Sequence, residues 1–123
     1  MDLNNSCIRV YADTELINNC KEDLKSITLQ VKSASELYSL LGNETRLKLL
    51  YTLHSRNQMC VCDLSDVLDI SIPAVSQQLK KLSEGGLVRK KRVAQTIFYF
   101  LDEKCVDYLD RFIDHNNHEA AKV

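Results

Sequence analysis

No stretch of this chain approaches the roughly 18 uninterrupted apolar residues that a membrane span needs. Its opening residues, Met1-Asp2-Leu3-Asn4-Asn5-Ser6, offer neither the basic nor the apolar region of an export signal. Proline occurs once, glycine three times and tryptophan never, and no internal repeat or low-complexity tract interrupts the 123 residues. That length is too short for a TIM barrel, or for a dinucleotide-binding enzyme with a separate substrate domain. Disorder is excluded in turn by a composition that is 45% hydrophobic and 27% charged. The expected protein is a soluble, cytoplasmic domain with no membrane partner. Cytoplasmic thiols are kept reduced, so the five cysteines, an odd number, need an explanation other than disulfides.

What is present is helical periodicity. Residues 1–12 lack a period and read as an arm. From an Asp13 cap, Leu16, Ile17, Cys20, Leu24 and Ile27 recur at three- and four-residue steps, which predicts an amphipathic helix. A second helix is expected after Lys32-Ser33, through Leu37, Leu40 and Leu41, ending at Gly42. Asn43 caps a third over Glu44 to His54, with Leu47, Leu50 and Leu53 inward and Arg46 and Lys48 outward. A short fourth opens at Cys62 or Asp63 and carries Leu64, Val67 and Leu68. Ser71 caps a fifth with Pro73 in its first turn, where a missing N–H costs nothing. Ile72, Val75, Leu79 and Leu82 form its inner face, and Gly85-Gly86 stops it. Leu87–Lys91 and Thr96–Leu101 read as strands joined through Arg92–Gln95. A last helix from Asp102 to His118 buries Val106, Leu109, Phe112 and Ile113. The order α-α-α-α-α-β-β-α divides into an arm and helix over 1–32, a domain over 33–118 and a tail over 119–123.

Two short helices followed by a hairpin make a winged helix-turn-helix, a mainly α class. The Ser71–Leu82 helix exposes Ser71, Pro73, Ala74, Ser76, Gln77, Lys80 and Lys81 opposite its apolar stripe. Its small first-turn residues admit close approach to a groove floor. Ser76, Gln77 and Gln78 offer donors and acceptors to base edges, and Lys80 and Lys81 meet phosphates. Arg89, Lys90, Lys91 and Arg92 extend the basic surface along the wing. The chain's net charge of −1 hides this segregation: Ser71–Gln95 carries six basic residues against Glu84 alone, a net +5, whereas Asp102–Val123 carries a net −3. A basic stripe on the reading element is the footprint of a DNA binder.

The second constellation is sulfur. Cys60-Val61-Cys62 sets two thiols at the entrance to the fourth helix, and thiolates take Cd(II), Pb(II), Zn(II), Hg(II) or As(III). The two can converge only where the backbone is a cap or turn. Two sulfurs cannot complete a site, which leaves Cys7 and Cys20 as further candidates from the same chain or a partner; Cys20 also fits the apolar register of its helix. On the last helix Asp102 and Cys105 share a face, as do His115 and His118, but about ten residues, roughly 15 Å, separate the pairs. One helix cannot close that second candidate site; two antiparallel copies could.

Leu41-Gly42-Asn43-Glu44-Thr45-Arg46-Leu47, Cys60-Val61-Cys62-Asp63-Leu64, Ser71–Leu79 and the wing segment Gln95–Tyr99 together resemble the ArsR/SmtB family of metal-sensing repressors. The cysteine-bearing N-terminus resembles its CadC-like, cadmium/lead-sensing branch. The resemblance implies a homodimer built on the first and last helices, binding palindromic operator DNA in the apo state and releasing it when metal binds. It also implies that Cys60 and Cys62 are ligands and that Cys7 is donated across the dimer. Cys20 departs from the branch's spacing. Asp102 and His115 match a dimer-interface zinc site, but Lys104 stands where that site has a histidine and His118 where it has a carboxylate. A redox- or persulfide-sensing repressor of the same fold is the alternative, since Ala94–Ile97 resembles the wing of such members and Cys105 lies in the last helix. An enzyme is disfavoured: no histidine base pairs with Cys60 or Cys62, and the usual redox spacing is C-x-x-C.

Overall fold

The computed structural model describes residues 7–121, with side chains from 7 to 113. Two compact units divide it, residues 1–35 and 36–123. The first holds α1 (Thr14–Ser26) and the start of α2 (Thr28–Leu41). Asp13 caps α1 as expected, its carboxylate accepting from Leu16 N at 2.9 Å. The expected break after Lys32-Ser33 is absent; α2 runs straight through it. The interruption falls instead at Ile27, where the Ser26 and Thr28 hydroxyls donate to the carbonyls of Asp23 and Leu24 and compete with the helical ladder. None of the residues of α1 is buried, and Leu16 and Leu24 are more than half exposed.

In the second unit α3 (Glu44–Arg56) is the hub. Asn43 caps it, accepting from Arg46 N at 3.0 Å. Leu49, Leu50 and Leu53 are sealed in a core with Leu64 of α4 (Val61–Leu68), Val75, Leu79 and Leu82 of α5 (Ile72–Glu84), and Cys105 and Leu109 of α6 (Glu103–Ala121). Leu49 belongs to this core although the expected inner face omitted it. Ile72 and Phe112 do not: both are about half exposed. His54 Nε2 and Asp110 Oδ1, 2.6 Å apart, pin α3 to α6 at the rim.

The turn between α4 and α5 is closed by local chemistry. Asp69 ends α4 in the left-handed region (φ 57°), which aspartate tolerates. The Ser65 hydroxyl donates to the Ile70 carbonyl, and Ser71 caps α5 by accepting from Ala74 N at 3.2 Å. At the far end of α5, a Cβ on Gly85 would fall 2.1 Å from Leu40 Cδ1, so its absence lets α2 and α5 close up.

Three strands form the sheet, not two, in the order β1-β3-β2. β2 (Val88–Val93) and β3 (Thr96–Leu101) make the expected hairpin, with a two-residue turn at Ala94-Gln95. Ala94 takes φ 58°, a conformation this turn class demands and glycine or asparagine usually supplies. The additional strand, β1 (Met59–Cys60), pairs antiparallel with β3 through Met59↔Tyr99 and Cys60↔Phe98. It is reached by a tight positive-φ turn at Asn57 (φ 69°, ψ −49°), closed by Gln58 N donating to the Arg56 carbonyl at 2.8 Å. Two residues are too few to show an alternation, so β1 left no periodic signal. Among the described residues no helix is long and apolar enough to cross a membrane.

Two substitutions test this account by urea unfolding. Leu64→Ala removes a fully buried side chain and is expected to cost about 2–5 kcal/mol. Ala94→Gly relieves a left-handed alanine worth about 1–2 kcal/mol but adds unfolded-state entropy of about 0.4–1 kcal/mol; the expected net is a gain of up to about 1.6 kcal/mol with the slope unchanged.

Candidate nucleic-acid interface and thiol site

Helix α5 presents its outer face much as its sequence predicts. Ser71, Pro73, Ser76, Gln77, Lys80 and Lys81 are exposed and Ala74 is half-buried. Ser71 spends its hydroxyl on the cap, so what it offers a ligand is reduced to the remaining lone pair and its own O–H. Ile72, expected inward, adds apolar surface at the helix's leading end, because the first turn projects past the core.

Gln78 is half-buried and engaged. Its Oε1 accepts from Arg46 Nη1 at 2.9 Å, while Arg46 Nε and Nη2 donate to the carbonyls of Leu40 (2.7 Å) and Ser39 (3.2 Å). Arg46, expected to point outward, thus ties the C-terminal end of α2 to α5. One signal could have found it: a cation in the first turn of α3 opposes the helix dipole, so another interaction must hold it there.

The basic run of the wing splits by strand alternation. Residues directly opposite across a ladder share a face, so Arg89 and Lys91 lie with Phe100 and Phe98, and Lys90 and Arg92 lie with Tyr99 and Ile97. The Arg89 guanidinium and Lys91 ammonium each sit 5.9 Å from the centroid of the Phe100 ring, within cation–π range. All four cations are exposed.

Cys60 shares the Arg89/Lys91 face, opposite Phe98. It is also the N-cap of α4, in extended conformation (φ −88°, ψ 166°), and its sulfur makes no capping hydrogen bond. Cys62 lies in the first turn of α4 and is exposed; Cys60 is half-buried. The two sulfurs therefore flank a cap, the backbone state their convergence requires, and neither is committed elsewhere. A soft ion fits this donor set, but among the described residues no third cysteine, histidine or carboxylate joins them. Cys7 and Cys20 are exposed in the first unit.

The second cysteine–histidine cluster is open only in part to description. Asp102 precedes α6, its Oδ1 accepting from Lys104 N at 3.1 Å. Cys105 is completely buried in the leucine core, and burial, with the Asp102 charge second, pushes its thiol from the ordinary 9.0 up to about 11. In this protomer it packs as a small apolar residue. The side chains of His115 and His118 lie outside the described residues.

Residues 43–90 match the family described as bacterial regulatory protein, arsR family. Over 110 residues the chain is 32% identical to a transcriptional repressor SmtB homolog of Synechocystis, covering 89% of this chain and 82% of that one. It is 27% identical over 118 residues to the cadmium resistance transcriptional regulatory protein CadC homolog of Staphylococcus aureus, covering 95% of each. The crystal structure of the transcriptional regulator HlyU from Vibrio vulnificus superposes with a TM-score of 0.65 at 31% identity, covering 75% of this chain and 96% of that one.

The buried thiol makes a pH prediction. The fold favours neutral Cys105, so the folded chain keeps this proton in a range where the unfolded chain has lost it. The contribution is fully present below about pH 9 and declines as pH rises toward about 11. Urea midpoints measured between pH 8 and 10.5 should fall more steeply in the wild type than in Cys105→Ala. In native protein at neutral pH, an aromatic disulfide reagent should modify Cys7, Cys20 and Cys62 readily and Cys105 only after unfolding.

Proposed function

The chain belongs to the arsR family of bacterial regulatory proteins, and from that premise we propose a transcriptional repressor that binds operator DNA as a homodimer and lets go when a thiophilic metal reaches its cysteines. The reading helix is α5. Its exposed Ser76 and Gln77 meet base edges, Lys80 and Lys81 meet phosphates, and the wing cations flank the contact. The family's relatives are regulators rather than enzymes, and no step here calls for catalysis. A dimer is favoured by the apolar side chains the protomer leaves uncovered: Leu16 and Leu24 on α1, Tyr38 on α2 and Tyr108 on α6, each 41–68% exposed. Two copies would set two α5 helices toward successive major grooves of a palindromic site.

The observation that carries the metal reading is the position of Cys60. It is at once the cap of α4, the helix that packs on α5, and the partner of Phe98 in the wing sheet. Metal bound there draws in at least one ligand beyond Cys60 and Cys62, with Cys7 and Cys20 as the donors from the first unit of the same or the other copy. Any shift of the Cys60 backbone is felt both by the helix that buttresses α5 and by the wing strand β3. A coupling of a few kcal/mol suffices, since each tenfold in affinity is about 1.4 kcal/mol. The similarity to cadmium and SmtB-type repressors supports a metal effector; the donor set fits Cd(II), Pb(II), Zn(II), Hg(II) or As(III) alike. The second site on α6 (Asp102, Cys105, His115, His118) has less support, because a buried, protonated Cys105 makes a poor ligand. The same burial weighs against a redox sensor that uses Cys105.

The test is fluorescence anisotropy of a labelled operator, titrated in parallel with the five ions. Cys60→Ser should bind DNA within about twofold of wild type and lose release by the inducing ion. Release that survives in Cys60→Ser would sink the assignment. Raising salt from 50 to 200 mM should weaken wild-type binding by at least about tenfold, as several phosphate contacts require.

A further inference from the structure

Arg46 grips two helices at once. Its Nε and Nη2 donate to the carbonyls of Leu40 (2.7 Å) and Ser39 (3.2 Å), which lie in the last turn of α2, beyond the reach of that helix's own N–H groups. Its Nη1 donates to Gln78 Oε1 on α5 at 2.9 Å. The guanidinium is planar and its donors form a rigid fork, so all three bonds survive only while α2 and α5 keep their relative position. A slide of about 1 Å between the helices takes at least one of them out of range. Two turns further along the same face of α5, Leu40 Cδ1 fills the space that a Cβ on Gly85 would occupy. The end of α2 is thus seated on α5 at two points, which fixes its tilt as well as its height.

The other end of α2 lies in the first unit, because the boundary between residues 35 and 36 falls inside that helix. The first unit carries Cys7 and Cys20, and Cys60 and Cys62 cannot complete a thiolate site by themselves. Recruiting either thiol to the cap of α4 puts a load on the unit in which α2 begins, whichever copy supplies it. We infer that Arg46 is the positioning residue that passes this load to α5: its fork converts a shift of α2 into a shift of Gln78, and so of the helix proposed to read DNA. The inference rests on the metal-released repressor proposed above. It adds to the route through Cys60 a second one, which starts from the first unit and reaches α5 without passing through α4.

The experiment measures operator affinity by anisotropy with and without whichever of Cd(II), Pb(II), Zn(II), Hg(II) and As(III) releases the wild type, and reads the ratio of the two dissociation constants. The wild type should weaken by about 10- to 100-fold, an ordinary size for coupling between sites. Arg46→Met, which keeps bulk but donates nothing, should bind DNA in the apo state within about fivefold of wild type and lose at least about fivefold of that ratio. Its metal affinity without DNA, followed by the thiolate-to-metal absorption band, should stay within about twofold, because the three bonds it loses go to Ser39, Leu40 and Gln78. Gln78→Ala cuts only the α5 end of the tie and should lower the ratio equally, whatever it does to the affinity itself; the double variant should lower it no further. Gln78→Glu keeps an acceptor for Arg46 and should retain the wild-type ratio, even as its carboxylate weakens DNA binding. Should Arg46→Met fail to fold, the contrast between Gln78→Ala and Gln78→Glu decides alone. The inference is overturned if Arg46→Met or Gln78→Ala keeps the wild-type ratio, if Gln78→Glu lowers it as Gln78→Ala does, or if Arg46→Met loses metal affinity in step with release. If none of the five ions releases the wild type, the metal reading itself falls, and this inference with it.

Discussion

The burial of three leucines on α3 is the constraint on which the second unit depends. Leu49, Leu50 and Leu53 are all but inaccessible, and around them α4, α5, α6 and β3 each contribute the side chains that complete the core. A residue of this kind stabilises by about 1.5–3 kcal/mol through burial alone. Because these leucines span little more than one helical turn, the elements that cover them must crowd around a single helix. α5 is thereby held against α3 and α4 with its polar side outward, and the wing grows from the edge of the same core through Leu87, Val88 and Leu101. The surface proposed to read DNA is a consequence of where the leucines are.

Around that core, two side-chain ties connect the parts that a switch would have to move. Arg46 joins the end of α2 to α5, and His54 joins α3 to α6. The short strand β1 adds a backbone tie, bringing the thiol-bearing cap of α4 against the wing. A sensor needs its ligand site and its reading element to share a structural member. In the function proposed here α4 and the sheet would both serve, and Cys60 belongs to both. The positive-φ turn at Asn57 is what lets the chain double back from α3 to make that connection.

Most of the architecture was legible in the residues. Asp13, Asn43 and Ser71 announced three helix starts because a cap acts within three residues of itself, and the Leu and Val spacing of α5 marked its buried side. The misreadings share a cause, which is contact between residues far apart in the chain. Cys105 shares a helix face with Asp102, yet it lies in a core that residues of α3, α4, α5 and the sheet complete. Ile72 fits the stripe of α5 but lies a turn beyond the core's edge. Arg46 was expected to face solvent because nothing at a separation of 32 residues reveals that it holds Gln78. A run of four basic residues, read as one stripe, splits between two faces once strand alternation applies.

Local chemistry therefore determined the element order, the winged helix-turn-helix class, the family, and the positions of a basic segment and a Cys-x-Cys cap. Caps, periodicity and charge act over a few residues, and sequence records them directly. The tertiary structure decided which cysteine is buried with a neutral thiol, that Arg46 holds Gln78, and that Cys60 abuts the wing. Each of these depends on the dielectric or the hydrogen-bond partner that a distant segment supplies. Such surroundings exist only once the leucine core has drawn those segments together.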